Sequence, residues 1–320
     1  MGTVVRIGVI GPGSIADVHL APALARTPGA LLWSVLSRDA GRAAAFAERH
    51  GARAPQPAHN DLDAFLADPD LDAVLIASPD RLHAPQAIAA ARAGKHILVE
   101  KPMATSTEEA EAMVAAARGA GVVLAVAYHL RWHAGHRALA AKVHAGELGE
   151  PLHVRAGWSW PAKNDANWRA HGEVGRWWPL AGVGTHCVDL ARWLLRTCGE
   201  VVEVRGLTSR PRFRGSHEET ALVGLRFESG ATAELLCSVL FASPRRVELY
   251  TANATAICDE TLGPHGAGAI TIDGQPLAFE RVDPYEGEVA DFVRAIRIGE
   301  PPEVDGAEGA RNVAILEAVS

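Results

Sequence analysis

The sequence predicts an α/β chain in two parts. Residues 1–127 alternate apolar, β-branched runs with alanine-rich helical segments. That alternation is the pattern of a parallel sheet with helices on both faces. A glycine-rich loop, Gly11-Pro12-Gly13-Ser14-Ile15-Ala16, falls between the first strand and the first helix. Residues 128–320 instead carry a succession of alternating strands and hairpin turns. A length of 320 residues accommodates about two domains, and 48% hydrophobic residues can build substantial cores.

In the first part, residues 4–10 form an apolar run and hence a buried strand. After the glycine loop comes a helix carrying Ile15, Val18, His19 and Leu24. Residues 31–36 read as the second strand. Residues 39–50 read as a helix, and Gly51 suits its C-cap. Residues 73–77 form a strand ending at Ser78-Pro79, and residues 83–93 a helix closed by Gly94. Residues 97–99 are the fifth strand and lead directly into Glu100-Lys101-Pro102. Ser106 and Glu109 make a capping box for a helix over 107–118, and residues 122–127 are the sixth strand.

In the second part, strands are predicted over 152–160, 201–208, 220–227, 231–239, 246–251, 255–258 and 269–272. The turns Glu228-Ser229-Gly230 and Asp273-Gly274 fit hairpins. Helices are predicted over 187–196, 287–298 and 308–319. The glycine-rich segment 263–268 is followed by no helix and reads as a hairpin loop.

The first loop has the GxGxxA form. Gly11 permits a tight turn, Gly13 lets a pyrophosphate approach the backbone, and Ala16 keeps helix and strand close. The N–H groups at the helix start, around Ser14 and Ile15, then face phosphate. The loop's place between first strand and first helix predicts dinucleotide binding. Cofactor type depends on the end of the second strand, where an acidic residue serves the ribose 2′-hydroxyl of NAD. Here the residues are Ser37-Arg38, with Asp39 read as a helix cap. A hydroxyl and a guanidinium suit a 2′-phosphate, so NADP(H) is favoured over NAD(H). Lys101, at the carboxyl end of the fifth strand, belongs to the crevice where such sheets hold ligands. There it can bond a substrate hydroxyl and help move its proton.

Composition excludes several classes. The formal charge of −7 argues against nucleic-acid wrapping. No apolar run reaches about 18 residues, so no membrane span is expected. The N-terminus runs straight into the glycine loop and reads as a strand, not a leader. Met1-Gly2 makes no myristoylation site, because Arg6 stands where Ser or Thr is needed. Cys187, Cys198, Cys237 and Cys258 form no CxxC pair and read as reduced, mostly buried thiols of a cytoplasmic protein, with no metal site. Asn253-Ala254-Thr255 is a glycosylation sequon without meaning in that compartment.

The glycine loop, Ser78-Pro79, His83 and Glu100-Lys101-Pro102 occur in an order that resembles the Gfo/Idh/MocA oxidoreductase family. Further matches are Tyr128 through Arg131, Trp168-Arg169, residues 184–190 (Gly-Thr-His-Cys-Val-Asp-Leu) and Asp283-Pro284-Tyr285. The resemblance covers nearly the whole chain. It implies an N-terminal Rossmann domain, and a C-terminal α/β domain with a large, mostly antiparallel sheet whose face forms homodimers or homotetramers. It implies hydride transfer between nicotinamide and a sugar, polyol or related keto compound. It also implies cofactor contacts from Gly11, Gly13, Ser14, Ile15, Ser37, Arg38, Ser78, His83, Glu100, Lys101 and Arg169. Lys101 and His186 match the family's catalytic pair, the histidine acting as general acid or base. The family also contains cofactor-sensing proteins without catalysis, which is the alternative reading.

Trp158, Trp160, Trp168, Trp177 and Trp178 cluster within a chain of eight Trp. They read either as packing or as the apolar wall of a sugar-sized pocket. Candidate substrate residues are Tyr128, Trp168, Trp177 and Asp165. One departure from the family pattern stands out. Many members carry Asp four residues before the histidine, and here that position is Gly182. Asp165 or Glu173 could substitute, Lys101 and His186 could suffice, or the chain has a changed substrate or has lost activity; a retained but altered oxidoreductase is favoured, because the lysine and histidine both persist. Asp189 reads as structural, and His129, His133, His136 and His144 as surface or structural.

Overall fold

A computed structural model describes residues 4–173 and 175–319. The Met1-Gly2 dipeptide lies outside the described residues. The chain divides into two compact units, residues 1–128 with 285–313, and residues 129–284 with 314–320.

The first unit is built on β1 (Val5–Ile10), β2 (Ala30–Leu36), β3 (Ala58–His59), β4 (Ala73–Ile76), β5 (His96–Glu100) and β6 (Leu124–Ala127). All neighbours pair in parallel, in the order β3-β2-β1-β4-β5-β6. The third strand is only two residues long, and no apolar run announced it. Between the strands lie α1 (Ala21–Arg26), α2 (Ala40–His50), α3 (Leu62–Leu66), α4 (His83–Arg92) and α5 (Thr107–Ala120). Asp39 caps α2 and Gly51 closes it in the left-handed conformation, as predicted. The capping box is modified. Ser106 Oγ accepts the N–H of Glu109 at 3.1 Å, but the Glu109 carboxylate reaches Thr105, accepting its N–H at 2.9 Å and its hydroxyl at 2.7 Å.

The expected contiguous second domain, 128–320, differs from the observed division. Helix α8 (Pro284–Ile298) places Tyr285, Val289, Phe292 and Val293 in the core that holds Val5, Leu20, Leu24 and Leu98. In α9 (Gly306–Val319), Gly306 lies against Leu124, and Gly309 against Met103 and Val126. Burial of these apolar faces returns residues 285–313 to the first unit.

The second unit carries α6 (Ala134–His144) and α7 (Thr185–Leu194), set on a sheet of eight strands. These are β7 (Pro151–Ser159), β8 (Val201–Ser209), β9 (Thr220–Phe227), β10 (Thr232–Ser238), β11 (Arg246–Thr251), β12 (Thr255–Asp259), β13 (Ala269–Ile272) and β14 (Gln275–Pro276). Their order is β14-β13-β12-β11-β7-β10-β9-β8, antiparallel except for the parallel β7–β10 pair. One face buries Val154, Ala156, Leu235, Val223, Val247 and Leu249. Period-two alternation puts Arg155, Glu234, Leu222, Arg226 and Tyr250 on the opposite, open face. The Asp273-Gly274 turn joins β13 to β14 with both φ angles positive (49° and 76°), the geometry of a tight two-residue hairpin. The loop at 263–268 joins the antiparallel β12 and β13, as expected.

All four cysteines are free and buried, and burial pushes the Cys187 and Cys258 thiols up to about 12. Among the described residues, no helix is long and apolar enough to cross a membrane, and no group of three or more His, Cys, Asp or Glu could hold a metal.

Candidate active site

Three strand ends of the first unit lead into predicted site residues. β1 passes into the glycine loop, β4 reaches Ser78 and β5 reaches Lys101. β1 and β4 are neighbours at the point where strand order reverses, where doubly wound sheets bind ligands. Gly11 has φ +84°, and a Cβ there would lie 2.7 Å from the backbone of Ser78. Only glycine lets these two loops meet. A Cβ on Gly13 would meet nothing within 4 Å. The chain turns helical from Ser14, through a π-helical turn at Ala16–Leu20 into α1. A glycine crest with open space above it and a helix beginning beside it suit a dinucleotide pyrophosphate, which the backbone at Gly11, Gly13, Ser14 and Ile15 would hold.

Arg38 is exposed just after β2, and Ser37 is half-buried. The Asp39 carboxylate accepts the N–H of Arg42 at 3.0 Å, so it serves as a helix cap. His83 is fully buried and braces two site segments: its Nδ1 lies 2.9 Å from the Pro102 carbonyl and its Nε2 2.8 Å from that of Ser78. Ser78 Oγ donates to Gln86 Oε1 at 2.6 Å. Glu100 and Lys101 are both buried, the Lys101 N–H donates to Glu100 Oε2 at 3.1 Å, and the Lys101–Pro102 peptide is cis. Tyr128, directly after β6, is also buried.

In the second unit, a π-helical turn at Leu180–Gly184 runs straight into α7. His186 is therefore the second residue of α7, and Gly182 precedes it by one turn. Trp158, from β7, stacks on the His186 ring at 5.7 Å and 28°. His129 meets the same ring edge-to-face at 4.8 Å and 76°. His129 begins the short turn His129–Trp132. Arg131 of that turn donates from Nε and Nη2 to the two Asp189 oxygens at 2.8 and 2.7 Å, with both side chains buried. Asp189 is one turn beyond His186 on α7, which supports its structural reading.

Of the four histidines read as surface or structural, His129 is buried against His186. His133 and His136 are core groups. Their rings stack at 4.3 Å, and His136 contacts the Leu130 carbonyl and the Thr261 hydroxyl. Burial, then the neighbouring His133, pushes His136 down to about 3. His144 Nε2 lies 2.8 Å from the Trp193 carbonyl. The signal for His129 was its place inside the Tyr128–Arg131 match.

Trp158, Trp160 and Trp178 wall a cavity of about 290 Å³, together with Asn167, Arg169, Gly182 and Val183. A Cβ on Gly182 would lie 3.0 Å from Trp160 Cη2, so an indole fills the space beside the position that lacks a carboxylate. The aromatic wall thus draws on three of the five clustered Trp. Trp177 is core, 1% exposed, with the Arg176 guanidinium 5.2 Å from its ring; Trp168 lies 4.2 Å under that of Arg169. Asp165 is half-buried and its carbonyl contacts His171 Nε2 at 2.8 Å, while Glu173 is exposed.

Sequence reasoning missed Glu218, a half-buried residue in the loop before β9. Its Oε1 accepts the N–H of Trp178 at 2.9 Å and of Leu180 at 3.0 Å, where the helical segment of His186 starts. Desolvation pushes its carboxyl up to about 7, against the lowering pull of those N–H groups.

Residues 5–128 match the family described as oxidoreductase family, NAD-binding Rossmann fold, and residues 136–257 match the GFO/IDH/MocA C-terminal domain. The chain is 30% identical to 1,5-anhydro-D-fructose reductase of Ensifer adhaerens, over 98% of this chain and 95% of that protein. It is 31% identical to D-xylose 1-dehydrogenase (NADP(+)) 2 of Haloferax volcanii, over the same shares. Among solved structures, aldose-aldose oxidoreductase of Caulobacter crescentus, complexed with glycerol, superposes with a TM-score of 0.90 at 25% identity, covering 98% of this chain and 96% of that one. A 3-ketoreductase of Actinomadura kijaniata, complexed with NADP and TDP-benzene, gives 0.87 at 27% identity, covering 99% and 97%. Glycine loop, strand order and these likenesses agree: the chain belongs to the Gfo/Idh/MocA family and is an NAD(P)-dependent oxidoreductase acting on CH–OH or C=O groups.

Proposed function

We propose that this enzyme moves hydride between nicotinamide and a sugar, polyol or related keto compound, with Lys101 and His186 handling the proton. The observation that carries this reading is the arrangement around Trp158. That indole packs on the buried His186 and also walls a cavity otherwise lined by two more indoles, Asn167 and Arg169. Aromatic faces suit the C–H faces of a sugar ring, and a few polar groups fix its orientation. The dinucleotide, when bound, supplies or accepts the hydride. In the reductive direction His186 gives a proton to the new alkoxide oxygen, and in the oxidative direction it removes one from the alcohol. Lys101 Nζ donates a hydrogen bond to a substrate hydroxyl and helps move its proton.

NADP(H) is the favoured cofactor. Arg38 is exposed beside Ser37, and the adjacent carboxylate, Asp39, is engaged as a cap. A 2′-phosphate there would meet a guanidinium and a hydroxyl. Self-association through the second sheet is supported by its open face. It exposes Leu207, Leu222 and Tyr250, and ion pairs such as Arg155–Glu234 cross its strands.

The test is an absorbance screen of nicotinamide reduction and oxidation against sugars, polyols and keto-sugars, with D-xylose and 1,5-anhydro-D-fructose as first probes. Lys101→Met and His186→Phe should each lower kcat by about 10²–10⁴-fold. Full turnover in both variants would refute the assignment.

A further inference from the structure

We infer that His129 is a positioning residue that, with Trp158, clamps the His186 imidazole in one orientation. The inference rests on the proposed proton role of His186. The ring of a histidine turns about a broad torsion, and a half-turn exchanges the places of Nδ1 and Nε2. A proton-transfer group cannot tolerate that exchange, since a misplacement of about 1 Å can cost 10²-fold in rate. In the second unit, Trp158 packs on His186 at 28° to its plane, and His129 abuts it at 76°. His186 and His129 are 3% and 5% exposed, so neither ring can turn into solvent.

The clamp has its own anchor. His129 stands two residues before Arg131, and His186 three residues before Asp189. The bidentate Arg131–Asp189 pair therefore fixes the turn bearing His129 to the helix bearing His186 within one helical turn of their contact. Two parallel charge-assisted bonds set direction as well as distance. On the far side of the turn, His136 Nδ1 holds the Leu130 carbonyl at 3.1 Å. The turn bearing His129 is thus held at both Leu130 and Arg131.

The experiment combines kinetics with a readout of the ring itself. His129→Ala should lower kcat about 10- to 100-fold, with KM for the sugar or polyol found in the screen changed less than about 3-fold. His129→Phe keeps a flat ring at the contact and should recover most of the loss, whereas His129→Leu, which fills volume without planarity, should not. Ring-proton NOEs from His186 Hδ2 and Hε1 to Trp158 should report one ring orientation in the wild type and His129→Phe, and two interconverting orientations in His129→Ala and His129→Leu. A single orientation in both non-planar variants, or two in His129→Phe, overturns the clamp. Two orientations with unchanged kcat uphold the clamp and overturn the proton role of His186 instead. Should His129→Ala fail to fold, His129→Leu carries the same expectation.

Discussion

Replacing Asp189 with asparagine offers the sharpest test of how the second unit is held together. The native pair is buried on both sides, 5% and 2% exposed, with N–O distances of 2.7 and 2.8 Å. Its net contribution is small, because desolvating two charges offsets most of their attraction. Breaking it is a different matter. The Asp189→Asn variant would keep the shape but leave the Arg131 guanidinium buried without the carboxylate it now faces, at a cost of about 3–5 kcal/mol. At the low end, about 3 kcal/mol corresponds to a fall in Tm of about 6–12 °C for a unit of this size. Every Trp except Trp33 lies in the second unit, so Trp fluorescence in urea or on heating reports that unit. The double variant Arg131→Met/Asp189→Leu removes both charges and should lie within about 1 kcal/mol of wild type. A loss below about 1 kcal/mol in Asp189→Asn, or a double variant no more stable than the single, would refute the reasoning.

Arg38→Ala should shrink the preference for NADPH over NADH by about 10-fold or more, as judged by titration of each dinucleotide; equal affinities in the wild type would sink the NADP(H) reading. Glu218→Gln should change how stability depends on pH. The folded-state pKa of Glu218 is raised from 4.5 to about 7. Its contribution is therefore fully present below the unfolded value and is lost as pH rises through about 7. The shift bounds the effect at about 3 kcal/mol, reduced by the favourable helix start that the carboxylate caps. Urea midpoints should fall between pH 5 and 8 in the wild type and fall less in Glu218→Gln, and parallel profiles would contradict this.

Much of the fold was legible because its determinants are local. β-branched runs, glycine punctuation and caps such as Asp39–Gly51 act within a few residues, and the elements they announce appear close to the expected bounds. The loop of Gly11 and Gly13 was legible for the same reason. The two-residue β3 has too few side chains to show a period. The return of Tyr285 and Phe292 to the first core depends on which apolar face finds which partner across more than a hundred residues. At the site, the sequence by itself determined the family, the dinucleotide loop, and Lys101 and His186 as the groups to examine. Only tertiary structure decided which indoles wall the cavity, that Trp160 fills the space beside Gly182, and that His129 lies against His186. Periodicity tells which side of a strand or helix a residue occupies. Ring contacts and cavities arise where separate elements close-pack, and no single element encodes them.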